Sequence, residues 1–186
     1  MNVIIIAIDH YLQLLEADED SEALRASKTR LREILEERFG PGQITAIFEE
    51  SSLTKKSIAD QLARRRDPRV PWQNICMTVE ERRAAGIYEA LNNRPGRRDD
   101  NMEYTIQARI PEDEVREDYF ADHILAAEKT QGDVLVLVGD MHVEPVANRP
   151  RAKGHTIEIL SELVPIRRWE DRGAIERQLE VEGQSS

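Results

Sequence analysis

The 186-residue chain has a single cysteine, Cys76, so it forms no internal disulfide, and that usage predicts a reducing compartment. Long apolar runs are missing as well: nothing approaches the roughly 18 consecutive apolar residues that a membrane helix needs. The opening Met1-Asn2-Val3-Ile4-Ile5-Ile6 has no basic stretch and reaches Asp9 too soon for a signal peptide. A cytoplasmic location without membrane contact is therefore expected. There is also no basic excess. Acidic residues number 36 against 26 basic ones, giving a formal net charge of −10. That balance argues against nucleic acid as a partner and against an anionic membrane surface, since both want a basic footprint. Internal repeats and low-complexity segments are absent from the sequence too.

What is present reads as one globular core. Hydrophobic residues make up 40% and charged residues 33%, and the length suits a single domain. Residues 2–8 form a β-branched run of the kind buried on both faces of a parallel sheet. A helix follows to about Phe39, with Leu24, Leu31, Ile34 and Leu35 as its apolar stripe, and Gly40-Pro41-Gly42 stops it. Further strands are expected at 44–48, 72–77, 134–138 and 156–160. Helices are expected after Ser52, after the capping box Thr78-Val79-Glu80-Glu81, from Pro111 to about Thr130, and after His142. Pro150 limits the last of these, which ends near Gly154. Residues 92–110 show turn and charge signals without a period, the mark of a lid, a binding loop or a disordered segment. This alternation predicts an α/β fold, a mainly parallel sheet with helices on both faces, as a domain over 1–168. A helix or flexible tail over 169–186 completes the chain.

In open α/β sheets ligands bind outside the carboxyl ends of the strands. The first strand ends in Ala7-Ile8-Asp9-His10, the second in Glu49-Glu50, and the strand at 134–138 in Gly139-Asp140-Met141-His142. Both histidines stand three residues after a small residue that lets the backbone turn sharply off its strand. Strands lie about 4.8 Å apart, so two such imidazoles on adjacent strands can reach one ion. A carboxylate from Glu49 or Glu50 would complete three protein ligands and leave a position for water. Adjacent strand residues point to opposite faces, and the sequence does not say which glutamate faces inward. The assignment adopted places His10, Glu49 and His142 on a divalent metal ion such as zinc, manganese or cobalt, with Glu50 and Asp140 as proton acceptors. The ion would bring the pKa of its water toward neutrality and generate a nucleophile.

Arg116 falls on one helix face with Phe120, Ile124 and Ala127, which aims a charge at the sheet. Such a cation needs a partner, either a strand-end carboxylate or the carbonyl or carboxylate of a substrate. His155, His123, Cys76 and Trp72 read as structural. Arg64-Arg65-Arg66 and Arg94, Arg97 and Arg98 read as solvated, the second group lying on the long loop within reach of an anionic substrate.

Taken in order, these segments resemble a known superfamily. Ala7-x-x-His10, Phe48-Glu49-Glu50, Arg116-Glu117-Asp118-Tyr119-Phe120 and Val136-Leu137-Val138-Gly139-Asp140-Met141-His142 look like the paired Gly-x-x-His motifs of the superfamily of TraB-type pheromone-shutdown proteins, Tiki metalloproteases, erythromycin esterases and ChaN-like lipoproteins. Ala7 stands where those families carry the first glycine. The resemblance implies that His10, Glu49 or Glu50, Arg116 and His142 line one pocket. It spans several chemistries and does not by itself choose a reaction.

Three functions compete at this stage. The first is a metal-dependent hydrolase acting on the ester, lactone or amide carbonyl of a small molecule or peptide. The second is a magnesium-dependent phosphodiesterase or nuclease built on Asp9, Glu49, Glu50 and Asp140. The third is a non-catalytic binding or interaction module in which the histidines merely cap strands.

Overall fold

A computed structural model describes residues 1–8, 10–13, 15, 22–39, 43–51, 57–94, 96–98, 105–107, 109–129 and 132–160. The elements run β1 (Asn2–Ile8), α1 (His10–Gln13), α2 (Glu22–Arg38), β2 (Ile44–Glu49), α3 (Ile58–Arg65), β3 (Trp72–Asn74), α4 (Val79–Ala84) and α5 (Tyr88–Asn92). They continue with β4 (Gly96–Arg98), β5 (Thr105–Gln107), α6 (Asp113–Ala126), β6 (Asp133–Gly139), α7 (Val143–Ala152) and β7 (Thr156–Leu160), with 3-10 turns at Ala127–Lys129 and Asp140–His142. Asp9, Gly40-Pro41-Gly42, Ser52 and the tail over 169–186 lie outside the described residues.

Five strands form an all-parallel sheet in the order β3-β2-β6-β1-β7. The two strands with the longest aliphatic runs, β1 and β6, are buried at every position but the first, as strands covered on both faces must be. One face of the sheet packs Ile4, Ile6, Ile8, Ile47, Leu135 and Leu137 against Leu31, Ile34 and Leu35 of α2 and Ile58 and Leu62 of α3. The opposite face packs Val3, Ile5, Phe48, Val136 and Val138 against Phe120 and Ile124 of α6 and Val143 and Val146 of α7. The architecture is α/β with helices on both faces, as the alternation of patterns predicts.

A register shift between Ile44 and Ala46 interrupts the pairing of β2 with β6. Ile44 and Ile47 consequently face α2 and α3, while Ala46 and Phe48 face α6 and α7. An extra residue of this kind reverses the alternation of everything after it.

Two expectations need correction. Residues 92–110 are not without structure, since β4 and β5 pair antiparallel within them; three-residue strands are too short to show a period. The third strand ends at Asn74 rather than Met77, because the Asn74 side chain accepts the backbone N–H of both Ser51 and Cys76 and turns the chain away. The helix after His142 ends at Ala152, close to the expected end near Gly154, with Pro150 buried in its last turn. There, few hydrogen bonds remain to be broken.

Candidate active site

The site lies at the carboxyl rim where β1, β6 and β2 end side by side. Ile8 pairs with Gly139, and Glu49 with Leu137. The helices after β1 and β2 pack on one face of the sheet, and the helix after β6 packs on the other. Where neighbouring strands send their helices to opposite faces, the loops part and leave the crevice in which α/β proteins bind ligands.

The two adjacent glutamates separate at this rim. Glu49, on the side of Ile47, accepts Ser57 Oγ at 2.5 Å and Trp72 Nε1 at 2.6 Å. Glu50 lies on the side of Phe48 and α6. Its Oε1 accepts Arg116 Nη2 at 2.5 Å, its Oε2 accepts the Gly139 backbone N–H at 2.9 Å, and its backbone carbonyl accepts Gln13 Nε2 at 2.9 Å.

Arg116 is brought over the rim by α6, whose buried face runs Asp113, Glu117, Phe120, Ala121 and Ile124. Its guanidinium lies 5.5 Å from the Phe120 ring centroid, in cation–π range. Besides Glu50, its Nη1 reaches Asp113 Oδ1 at 3.3 Å and His142 Nε2 at 3.4 Å. The other ring nitrogen of His142, Nδ1, lies 2.9 Å from Glu117 Oε1. A carboxylate accepts and a guanidinium only donates, so these partners assign one tautomer: Nδ1 carries the proton and Nε2 presents its lone pair. The ring packs edge-on against Phe120 at 5.7 Å between centroids.

Two further arginines close the cluster. Arg94 pairs with Asp113 and places Nη1 3.6 Å from Met141 Sδ. It is buried, not solvated as its charged neighbourhood in the sequence suggests, because Asp113 gives it a partner away from water. Arg109 grips both oxygens of Glu117, with Nη2 to Oε2 at 2.7 Å. Asp113 Oδ2 also accepts the Ile110 N–H at 3.0 Å.

Burial pushes the Glu117 carboxyl up, but hydrogen bonds from His142 and Arg109, with the Arg109 charge, outweigh it and hold the group below its ordinary value. Asp113 behaves alike. Burial raises it, and the Ile110 N–H and Arg94 more than reverse the shift. At the margin of the site, burial and then the charge of Glu50 raise the Cys76 thiol, despite Arg82 Nη2 at 2.9 Å from its sulfur. That thiol suits a small hydrophobe better than a nucleophile.

Of the residues singled out from the sequence, Glu50, Arg116 and His142 meet. Glu49 is held on the other face. Asp140 is exposed and opens the turn that carries His142. His10 begins α1 after the strand adjacent to β6, and its side chain lies outside the described residues. Asp113, Glu117 and Arg109 were not singled out, and Arg94 was read as solvated. The signal for the two acids was available, since positions 113 and 117 continue the stripe of 120, 121 and 124 at helical spacing. Asp113 stands in the first turn of α6, where an acid is expected on dipole grounds alone.

Among the described residues, no group of three histidine, cysteine or acidic side chains could hold a metal ion. Glu50 Oε1 and His142 Nε2 are 3.7 Å apart, but Arg116 donates toward both. A divalent cation at that point would meet a fixed positive charge. The described donor set therefore does not fit a metal centre.

Compared with family models, curated proteins and solved structures, the chain finds no match.

Proposed function

We propose that the chain is a hydrolase of ester, lactone or amide carbonyls that activates water at His142. The carrying observation is the Glu117–His142 pair at 2.9 Å, which fixes the Nδ1–H tautomer. It leaves Nε2 facing Arg116 at 3.4 Å, a long contact that a water or substrate can displace. In this reading Nε2 takes a proton from water as the oxygen attacks the carbonyl carbon. The carbonyl π pair moves to oxygen, and the resulting oxyanion is stabilised by the Arg116 guanidinium. Collapse breaks the bond to the leaving oxygen or nitrogen, which receives the proton back from Nε2. Glu117 keeps the imidazolium aligned and compensates its charge, while Glu50 and Asp113 hold Arg116 in place.

Arg116 is the most exposed of the inner side chains, at 12% against 3% for His142, so the substrate carbonyl approaches over the guanidinium. Buried charge of this density supports a functional reading, because replacing buried ion pairs with apolar residues is often neutral or stabilising. The likeness to a superfamily that includes esterases and proteases supports a carbonyl substrate. The divided glutamates count against the phosphodiesterase reading, whose ions need Glu49 and Glu50 on one side.

The test is purified protein against a panel of esters, lactones and peptides, with and without chelator. The expected result is chelator-resistant turnover that falls about 10²–10⁴-fold in His142→Ala, as loss of a general base does. A folded protein inactive across the panel would overturn the hydrolase reading. Activity abolished by chelator and restored by zinc or manganese would instead return the water to an ion and would overturn the part given to His142.

A further inference from the structure

We infer that Arg109, a residue outside the set that touches substrate, is the positioning residue of this site, and that it aligns His142 by fixing the carboxylate plane of Glu117. The inference deepens the hydrolase reading and rests on it for its functional meaning. Its structural content is separable.

The observations form a chain of contacts. Arg109 stands directly after the segment that holds the hairpin, and Arg94 directly before it. Both side chains turn to α6 and take the acids that face the site, Arg94 on Asp113 and Arg109 on Glu117. The Ile110 N–H adds a third tie, to Asp113 Oδ2 at 3.0 Å. The segment is thus fastened at both feet to residues that in turn hold Arg116 and His142.

Arg109 has the particular leverage. A carboxylate on a helix can rotate about its terminal torsion, which is broad, and each rotation changes which oxygen meets the imidazole. The guanidinium engages both oxygens at once, and a bidentate fork permits only one carboxylate plane. In that plane Oε1 meets Nδ1 of His142 at 2.9 Å. Without the fork, Glu117 keeps its charge and its place on α6 but loses its orientation. The imidazole can then ring-flip or exchange tautomers. Arg109 is 41% exposed on its side chain while Glu117 is 3% exposed, so the grip comes from the solvent side.

The test is nitrogen-15 spectroscopy of the His142 ring in the full-length chain, with Arg109→Ala and Arg109→Lys beside the parent. In the parent the two ring nitrogens are expected as a resolved pair, one protonated and one bare. In Arg109→Ala they are expected to move toward each other as the tautomers exchange, with turnover reduced about tenfold or more. Arg109→Lys restores charge without the fork and should remain close to alanine. An unchanged ring spectrum in Arg109→Ala overturns the inference, as does full rescue by lysine, which would reduce the role to charge. Should alanine fail to fold, lysine against the parent decides alone: parental ring shifts reject the fork. Because the spectrum is read without substrate, a change in the ring with no hydrolysis of any panel substrate would refute the activity and keep the positioning role.

Discussion

Glu50 Oε2 accepts the backbone N–H of Gly139 at 2.9 Å, which joins the ends of two neighbouring strands whose residues stand 89 apart in the chain. The same carboxylate pairs with Arg116 through its other oxygen, so one side chain holds β2, β6 and α6 together at the rim.

Removing it leaves Arg116 and the Gly139 N–H inside the protein without their anion. Breaking a buried ion pair by deleting one partner costs about 3–5 kcal/mol. Glu50→Ala should lower unfolding stability by that amount in urea denaturation. Glu50→Gln should cost less, because its amide oxygen can still accept one of the two donors. A loss below about 1 kcal/mol, the range of exposed ion pairs, would show that the network does not hold the rim.

Acid should unfold the protein through α6. Glu117 and Asp113 both have folded pKa values depressed below their ordinary 4.5 and 3.8. Each therefore contributes stability that is present above its ordinary value and is lost as pH falls through the lower folded value. Urea midpoints should hold near neutral pH and decline from about pH 4.5 downward. Glu117→Gln should begin less stable and show a shallower decline. An equal slope in the variant would mean that other carboxylates carry the acid transition.

The alkaline side has a separate reporter. Tyr119 donates its hydroxyl to Glu81 Oε1 at 2.8 Å, and burial followed by that carboxylate pushes the phenol up to about 12. A raised folded pKa on an acid stabilises the fold below the ordinary value of 10.0, and this contribution is lost as pH rises through the folded value. In an ultraviolet titration, one tyrosine should ionise near pH 12 and vanish in Tyr119→Phe. Complete titration of the tyrosines near pH 10 would refute the pairing.

All five strands of the sheet were legible, β1, β2 and β6 most plainly, because they are written as largely apolar runs, whereas β3 is short and mostly exposed and β7 alternates. The rim was legible as well, since Gly139-Asp140-Met141-His142 and Glu49-Glu50 fall where such strands end. What was hidden is long-range pairing. Nothing in the local pattern around Arg94 or Arg109 says that each will find an acid on α6, 19 and 8 residues away. Nor could the inward glutamate be read. Counting alternate residues from Ile44 puts Glu50 on the face of α2 and α3, and the irregularity between Ile44 and Ala46 reverses that count.

That irregularity is held by a second close approach. Asp133 donates its N–H to the Gln43 carbonyl at 2.8 Å, and Thr45 Oγ1 donates to the Asp133 carbonyl at 3.2 Å. Gly132 lies against this crossing with φ +145°, a conformation that side chains rarely adopt. A Cβ there would collide with Thr45 Cγ2 and come within 3.0 Å of the Gln43 carbonyl. Gly132→Ala should therefore cost about 1–3 kcal/mol, the usual range for overpacking. Thr45→Ser should recover part of that loss by removing Cγ2, but not all, since the carbonyl contact and the backbone conformation remain. Because the crossing sets the parity of β2, hydrogen exchange in Gly132→Ala should also rise at Glu50 and Gly139. Protection unchanged at those two residues, with stability lost elsewhere, would separate the irregular pairing from the site it is argued to orient.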